Sequence, residues 1–181
     1  MEEIINKTVA TLLAGGVILY PTDTIWGIGC DARSHEAIER IYAIKGRDRS
    51  KSMLILVAHN VWADDADERP TTYIMPRERW EPLLGGNIAD NLPAADGSLG
   101  LRYPRHAFCQ EVMRRLGAPL VSTSANLSGR PSPQAYNEIE ETIKEKVDYC
   151  VPPIEELLSA ESRGSRIVKV NPDGSLSVIR P

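Results

Sequence analysis

Short apolar runs alternate with segments of helical period along almost the whole chain, and this interleaving limits the fold more than any other feature. Val17 to Tyr20, Met53 to Val57, Leu99 to Tyr103 and Pro119 to Ser122 are too short for stable helices and read as strands. Between them, Ile4, Ile5, Val9, Leu12 and Leu13 recur at helical spacing and stop at Gly15-Gly16. Ser34 is placed to cap a helix with Ala37, Ile38, Ile41, Tyr42 and Ile44 on its apolar side, and Gly117 closes one with Phe108, Val112, Met113 and Leu116. Further strands are expected at Ile25 to Gly29, Thr71 to Met75 and Tyr149 to Val151. Arg166 to Val170 and Leu176 to Ile179 form a hairpin turned by Asn171-Pro172-Asp173-Gly174. Ser132-Pro133 predicts a helix running to about Val147, with a capping hydroxyl and a proline at the first position. From Trp62 to Gly97 the pattern is weak outside Thr71 to Met75. Strands interleaved with helices must bury a sheet under helices, so the fold class is α/β with mixed α+β character, built on a mixed sheet.

At 181 residues the chain suits one domain, 1–181. The longest apolar run, Met53 to Ala58, is far short of the roughly 20 residues that cross a bilayer, and Met1-Glu2-Glu3 is not the basic start of a signal peptide. A cytoplasmic protein without a membrane partner is expected. Cys30, Cys109 and Cys150 are odd in number and form no Cys-x-x-Cys pair, against both a disulfide framework and a cysteine-rich zinc site. The formal net charge is -4, so attraction to anions must be local.

Such a locality exists. Lys45-Gly46-Arg47-Asp48-Arg49-Ser50-Lys51 carries four cations and one anion. In an extended segment its four cations share one parity and hence one face, an anion cradle between an apolar helix and a buried strand. The alternative is a solvated basic loop. Pro119 to Gly129 follows a strand with Ser122, Thr123, Ser124, Asn126 and Ser128, whose hydroxyls and backbone N–H groups suit phosphate oxygens, or simply a turn. Gly27-Ile28-Gly29-Cys30-Asp31-Ala32 imitates a dinucleotide fingerprint, but the next strand leads into Ala58-His59-Asn60 without the acidic residue that would hold a ribose. His106 lies three residues before Cys109, too small a set for a zinc site.

Tyr20-Pro21-Thr22-Asp23-Thr24-Ile25-Trp26-Gly27-Ile28-Gly29-Cys30-Asp31-Ala32, then Lys45-Gly46-Arg47, Gly100-Leu101-Arg102-Tyr103-Pro104-Arg105-His106 and Ser122-Thr123-Ser124-Ala125-Asn126-Leu127-Ser128-Gly129, together resemble the YrdC-like threonylcarbamoyl-AMP synthase family. The match spans nearly the whole chain and is similar to the short, single-domain form. The resemblance implies a twisted mixed sheet flanked by helices, with a basic concave pocket. It implies a nucleotidyltransferase that joins L-threonine, bicarbonate and ATP into threonylcarbamoyl-AMP with release of pyrophosphate, for N6-threonylcarbamoyladenosine modification of tRNA. Mg²⁺ on the ATP phosphates, weak tRNA or double-stranded RNA binding, and downstream threonylcarbamoyl-transferase proteins follow from the same resemblance. Carried over by residue, Thr24 and Arg102 are threonine-binding. Arg47, Lys51, Ser98, Ser122, Ser124, Ser132, Ser165 and Arg180 bind ATP, and Lys45, Arg47, Ser124 and Asn126 form the catalytic set. Arg102 suits a bidentate grip on a carboxylate, and Lys45, Arg47 and Lys51 would offset triphosphate charge.

The chain departs from the family pattern at several points. Asp48 and Ser52 stand where prolines are usual, Leu56 replaces a histidine that some members offer to threonine, and Arg166 follows Ser165 in place of Thr or Ser. A Trp-Pro-Gly-Pro element is not recognisable between Tyr73 and Gly86. The competing class is a non-catalytic module that holds tRNA or structured RNA in the same basic concavity. Aromatics are only 6%, with no stacking platform, which favours the enzyme. A carbamoyl-adenylate activity with a different acceptor is a related alternative.

Overall fold

The computed structural model describes residues 1–48, 53–62, 69–158 and 163–181. Among them, nine strands form one sheet: β1 (Ile18–Tyr20), β2 (Gly27–Gly29), β3 (Leu54–Leu56), β4 (Thr71–Met75), β5 (Leu99–Arg102), β6 (Leu120–Ser124), β7 (Tyr149–Cys150), β8 (Arg166–Val170) and β9 (Leu176–Arg180). Their order is β7-β1-β2-β6-β3-β5-β4-β8-β9. The β1/β7, β3/β5 and β4/β8 pairs are parallel and the others antiparallel, the mixed sheet expected. The helices are α1 (Glu2–Leu13), α2 (His35–Lys45), α3 (Arg77–Leu84), α4 (Ala107–Leu116) and α5 (Glu141–Lys144). α2 starts at Ser34, whose hydroxyl accepts from the Ala37 N–H at 3.2 Å, and stops at Gly46, where φ of 56° is left-handed and cheap only for glycine.

Register decides what each face of the sheet does, because side chains alternate along a strand. Ile55 lies level with Leu101 and Val121, and Leu101 with Tyr73. That row joins the larger core, under Ile38 and Ile41 of α2 and Trp80 of α3. The opposite face is covered over part of its extent. Ile18, Tyr20, Leu56 and Leu120 pack against Leu12 of α1 and Phe108, Val112 and Leu116 of α4. The remainder of that face, from Gly27 and Ser122 across Gly100 and Arg102 to Thr72 and Ile167, floors a cavity. Gly100 deepens the floor: a Cβ there would lie 3.2 Å from both the Leu54 Cβ and the Thr72 Cγ2.

Two expectations are corrected, the helix after Ser132 and the shared extended face of Lys45 and Arg47. The helix from Ser132 to Val147 does not form: Tyr136–Glu138 is one 3-10 turn, α5 has four residues, and Ala135 and Ile139, on either side of the 3-10 turn, are extended. Between Ala135 and Glu145 only Ile139 and Ile143 are buried, too sparse an apolar stripe to sustain a helix, while Tyr136 turns onto Trp26 with ring centroids 4.9 Å apart. In the weakly patterned stretch, α3 follows Pro76 and ends at Gly85, with Trp80 buried; Pro82 inside it masks the helical signal. Gly27-Ile28-Gly29 is a strand, as expected, paired on both sides, and opens no nucleotide-binding helix. Its second glycine serves packing, since a Cβ at Gly29 would fall 2.2 Å from the Val121 carbonyl oxygen. Finally, α2 runs through Lys45, so Lys45 and Arg47 are not two positions of one extended strand. Arg49 and Lys51 lie outside the described residues.

Candidate functional site

The cavity has a volume of about 660 Å³. Among the described residues its lining carries four arginine side chains, Arg47, Arg102, Arg163 and Arg180, and no Asp or Glu side chain. In a chain of net charge -4 this is a strong local segregation of charge, and it suits a multiply anionic ligand. Thr24, Ser122, Ser124, Ser132 and Ser165 line the same space, so most residues expected at the site converge there from distant parts of the chain.

Arg102, at the end of β5, is 3% exposed. Its Nη1 donates to the Thr24 hydroxyl at 2.8 Å, and its Nη2 lies 3.4 Å from Asp23 Oδ1. Nε is buried without a hydrogen-bond partner among the described residues. The other Asp23 oxygen accepts from the Arg105 N–H at 3.0 Å, tying the β1–β2 loop to the segment after β5. The hydroxyls in this loop have a defined direction. Thr22 Oγ1 donates to the Ile25 carbonyl at 2.8 Å, which spends its proton, so across the 3.0 Å contact Thr24 donates to Thr22. With its proton used, Thr24 faces a ligand as an acceptor only. Its oxygen fits an N–H, while Arg102 fits a carboxylate.

Arg47 reaches across to the end of β6, its Nη1 donating to the Thr123 hydroxyl at 3.4 Å. Lys45 takes another route. It is 2% exposed and absent from the cavity lining, and its ammonium donates to the Ser124 carbonyl and, at 2.7 Å, to the Asn126 carbonyl. Its own carbonyl accepts from the Ser128 N–H at 2.8 Å. Three hydrogen bonds therefore clamp the end of α2 to residues 124–128. Burial, with the neighbouring Arg47 charge, lowers Lys45 from its ordinary 10.5 to about 7. Asn126 is also outside the lining: its Nδ2 donates to the Leu127 carbonyl at 2.9 Å and the Arg130 carbonyl at 2.7 Å, folding the loop.

Ser98 is away from the cavity as well, its N–H and hydroxyl both spent on Asp96 Oδ1 at 2.9 and 2.6 Å. Ser132 caps no helix and instead lines the cavity. Ser165 is 4% exposed and hydrogen-bonds the Thr72 hydroxyl at 2.8 Å, and its carbonyl accepts from the Arg180 guanidinium. The expected ATP contact at Lys51 falls outside the described residues. Sequence reasoning missed Thr72, Gln134 and Arg163 in the lining. Thr72 was accessible from strand alternation with Ile74, whereas Arg163 carries no local signal. The His106 ring donates from Nε2 to the Leu157 carbonyl at 3.0 Å, and its Nδ1 is 3.8 Å from Cys109 Sγ, so both are used in packing. Among the described residues no group of three or more His, Cys, Asp or Glu side chains is placed to hold a metal ion.

Comparison with known proteins fits this geometry. The family described as Sua5_yciO_yrdC, telomere recombination, matches residues 10–181. A curated relative from Stenotrophomonas maltophilia named threonylcarbamoyl-AMP synthase is 31% identical over 159 residues, covering 82% of this chain and 86% of that protein. Among solved structures, E. coli YciO superposes with a TM-score of 0.74 at 22% identity, over 99% of this chain and 89% of that one. P. abyssi Sua5, solved in complex with L-threonine, superposes with a TM-score of 0.76 at 20% identity over 98% of this chain. This chain spans about half of that one, 53% of its length. With the mixed sheet, the arginine-lined cavity and a match running from residue 10 to the last residue, this chain belongs to the Sua5/YciO/YrdC family.

Proposed function

We propose that this chain is a threonylcarbamoyl-AMP synthase, an enzyme that joins ATP, L-threonine and bicarbonate into threonylcarbamoyl-AMP with release of pyrophosphate. One observation carries the reading: four arginines and a set of hydroxyls, with no acidic side chain among the described residues, face a cavity large enough for a nucleotide and an amino acid. The relative named for this activity and the Sua5 structure complexed with L-threonine support it.

In this reading Arg102 takes the threonine carboxylate and Thr24 accepts an N–H from the same substrate, two contacts that hold the amino acid at the end of β5. Amine and bicarbonate condense to a carbamate with loss of water. A carbamate oxygen then attacks the α-phosphorus of ATP, forming the new P–O bond while the bond to the pyrophosphate oxygen breaks. The carbamate is already anionic, so the attack needs no general base. Positioning and charge stabilisation supply the catalysis, from Arg47 and Arg180 with Thr123, Ser122 and Ser124 on the phosphates and Ser132 and Ser165 on the rest of the nucleotide. Lys45 and Asn126 act on the substrates through the loop they hold in place. Mg²⁺ enters as part of the ATP substrate, neutralising phosphate charge; among the described residues the lining offers it hydroxyls and no carboxylate. The product passes to threonylcarbamoyl-transferase proteins that modify tRNA, in the cytoplasm, where three free thiols are stable.

Pyrophosphate release by the purified protein tests this reading. It should require ATP, Mg²⁺, bicarbonate and L-threonine together, and omission of any one should abolish it. Release indifferent to threonine, with structured RNA shifted in a gel, would replace the enzyme by an RNA-binding module.

A further inference from the structure

Gly164 lies on the cavity wall immediately before Ser165, and its backbone is outside the left-handed region, so no conformational demand explains a glycine there. Space does. A Cβ at this position would meet the Arg180 guanidinium at 2.8 Å from Nη2, 3.1 Å from Cζ and 3.3 Å from Nη1. Three guanidinium atoms at such similar short distances mean that the planar group lies across the bare Cα. From that seat Arg180 Nε donates to the Ser165 carbonyl at 2.9 Å, with Nη2 on the same oxygen. Two of the five guanidinium N–H groups are thereby used, and three remain for a ligand. Ser165 is fixed in turn by its hydroxyl contact with Thr72 in β4. Arg180 ends β9, beyond a register shift between Ile167 and Val168, so the strand ladder alone does not set its direction.

We infer that Gly164 is a positioning residue for anion binding: by lacking a side chain it seats Arg180 on the 164–165 backbone and aims the free edge of the guanidinium at the phosphates of a bound nucleotide. The inference rests on reading the cavity as an ATP site. It also explains why Arg180, exposed at the end of an edge strand, can act as a defined donor; a free arginine there would lose its rotamer entropy on binding.

Calorimetric titration of Mg·ATP into wild type, Gly164→Ala, Arg180→Ala and the double variant tests it. The intruding methyl meets the far end of a flexible side chain, so Gly164→Ala should keep the wild-type melting temperature and L-threonine affinity. Its Mg·ATP affinity should fall about tenfold, as expected for loss of one charge-assisted contact. In the Arg180→Ala background the same substitution should cost nothing, because the residue acts only through Arg180. Wild-type ATP affinity in Gly164→Ala, or effects that multiply in the double variant, would overturn the inference alone. A wild type that binds no Mg·ATP would overturn the functional reading and this inference with it. Should Gly164→Ala lose its cooperative melt, recovery of the melt in the double variant supports the same contact, and loss in both overturns it.

Discussion

On the proposed function, Arg102→Ala should separate the amino acid site from the nucleotide site. In the native protein Arg102 is 3% exposed, and its guanidinium donates to Thr24 at 2.8 Å and pairs with Asp23 at 3.4 Å. Truncation has two consequences of different size. For stability, Asp23 has a side chain only 9% exposed and loses a charge partner while keeping the Arg105 N–H. Breaking a buried pair costs roughly 3–5 kcal/mol, and the retained N–H places this case near the lower figure. For binding, a charge-assisted hydrogen bond to the threonine carboxylate contributes about 1.5–3 kcal/mol, or roughly a ten- to 150-fold loss of affinity. ATP, which the proposed function assigns to Arg47, Arg180 and the hydroxyls, should bind within about twofold of wild type, since sites with no shared partners add independently. The assay is calorimetric titration of L-threonine and of Mg·ATP separately, with urea unfolding to verify that each variant is native. Arg102→Lys keeps the charge and loses the fork, so it should recover little of the threonine affinity. A folded Arg102→Ala protein with wild-type threonine affinity would refute the assignment and move the carboxylate site elsewhere in the cavity.

Arg47→Ala should lower turnover at saturating ATP by roughly tenfold for each 1.36 kcal/mol of transition-state stabilisation lost, and Arg47→Lys should rescue poorly if the planar fork matters. Near-complete rescue in steady-state kinetics would make Arg47 a simple point charge. Ser124→Ala removes a neutral hydroxyl and should cost only about 0.5–1.5 kcal/mol, measured as kcat/KM for ATP; a larger loss would give that hydroxyl a role in the chemistry itself. Lys45→Met should destabilise the fold by about 2–4 kcal/mol, because the carbonyls of Ser124 and Asn126 lose their donor. The same variant reports on pH. With Lys45 lowered to about 7 when folded and at 10.5 when unfolded, the unfolded chain binds more protons between those values. The contribution of this group to stability therefore rises with pH from about 7 to 10.5, and is lost as pH falls back through 7. The difference in unfolding free energy between wild type and Lys45→Met should widen over that window, and a pH-independent difference would refute the shift.

The chain's local patterns specified most of the sheet and helices, because a three- to five-residue apolar run between glycine or proline has few other uses. Thr71–Met75 forms a strand over the expected residues, and Ser34 and Gly117 bound their helices as their side-chain chemistry dictates. Local pattern failed where packing decides. Ser132-Pro133 carries a complete helix-start signal, yet Tyr136 finds Trp26 and the helix is not made. The Pro-Thr-Asp-Thr, Lys-x-Arg and Ser-x-Asn elements marked the family, and most of the residues carried over with it line the cavity. Their division of labour is tertiary. Parity put Lys45 and Arg47 on one face, but the helix continues through Lys45 and turns its ammonium inward onto Ser124 and Asn126, leaving Arg47 at the cavity. Sequence alone determined which side chains could bind an anion, since charge and hydrogen-bonding capacity belong to the residue. Only the tertiary structure decided which of them remain free to do so, since a buried donor must be satisfied by whatever acceptor the fold brings within 3 Å, and that acceptor is chosen by strand register and loop closure across the whole chain.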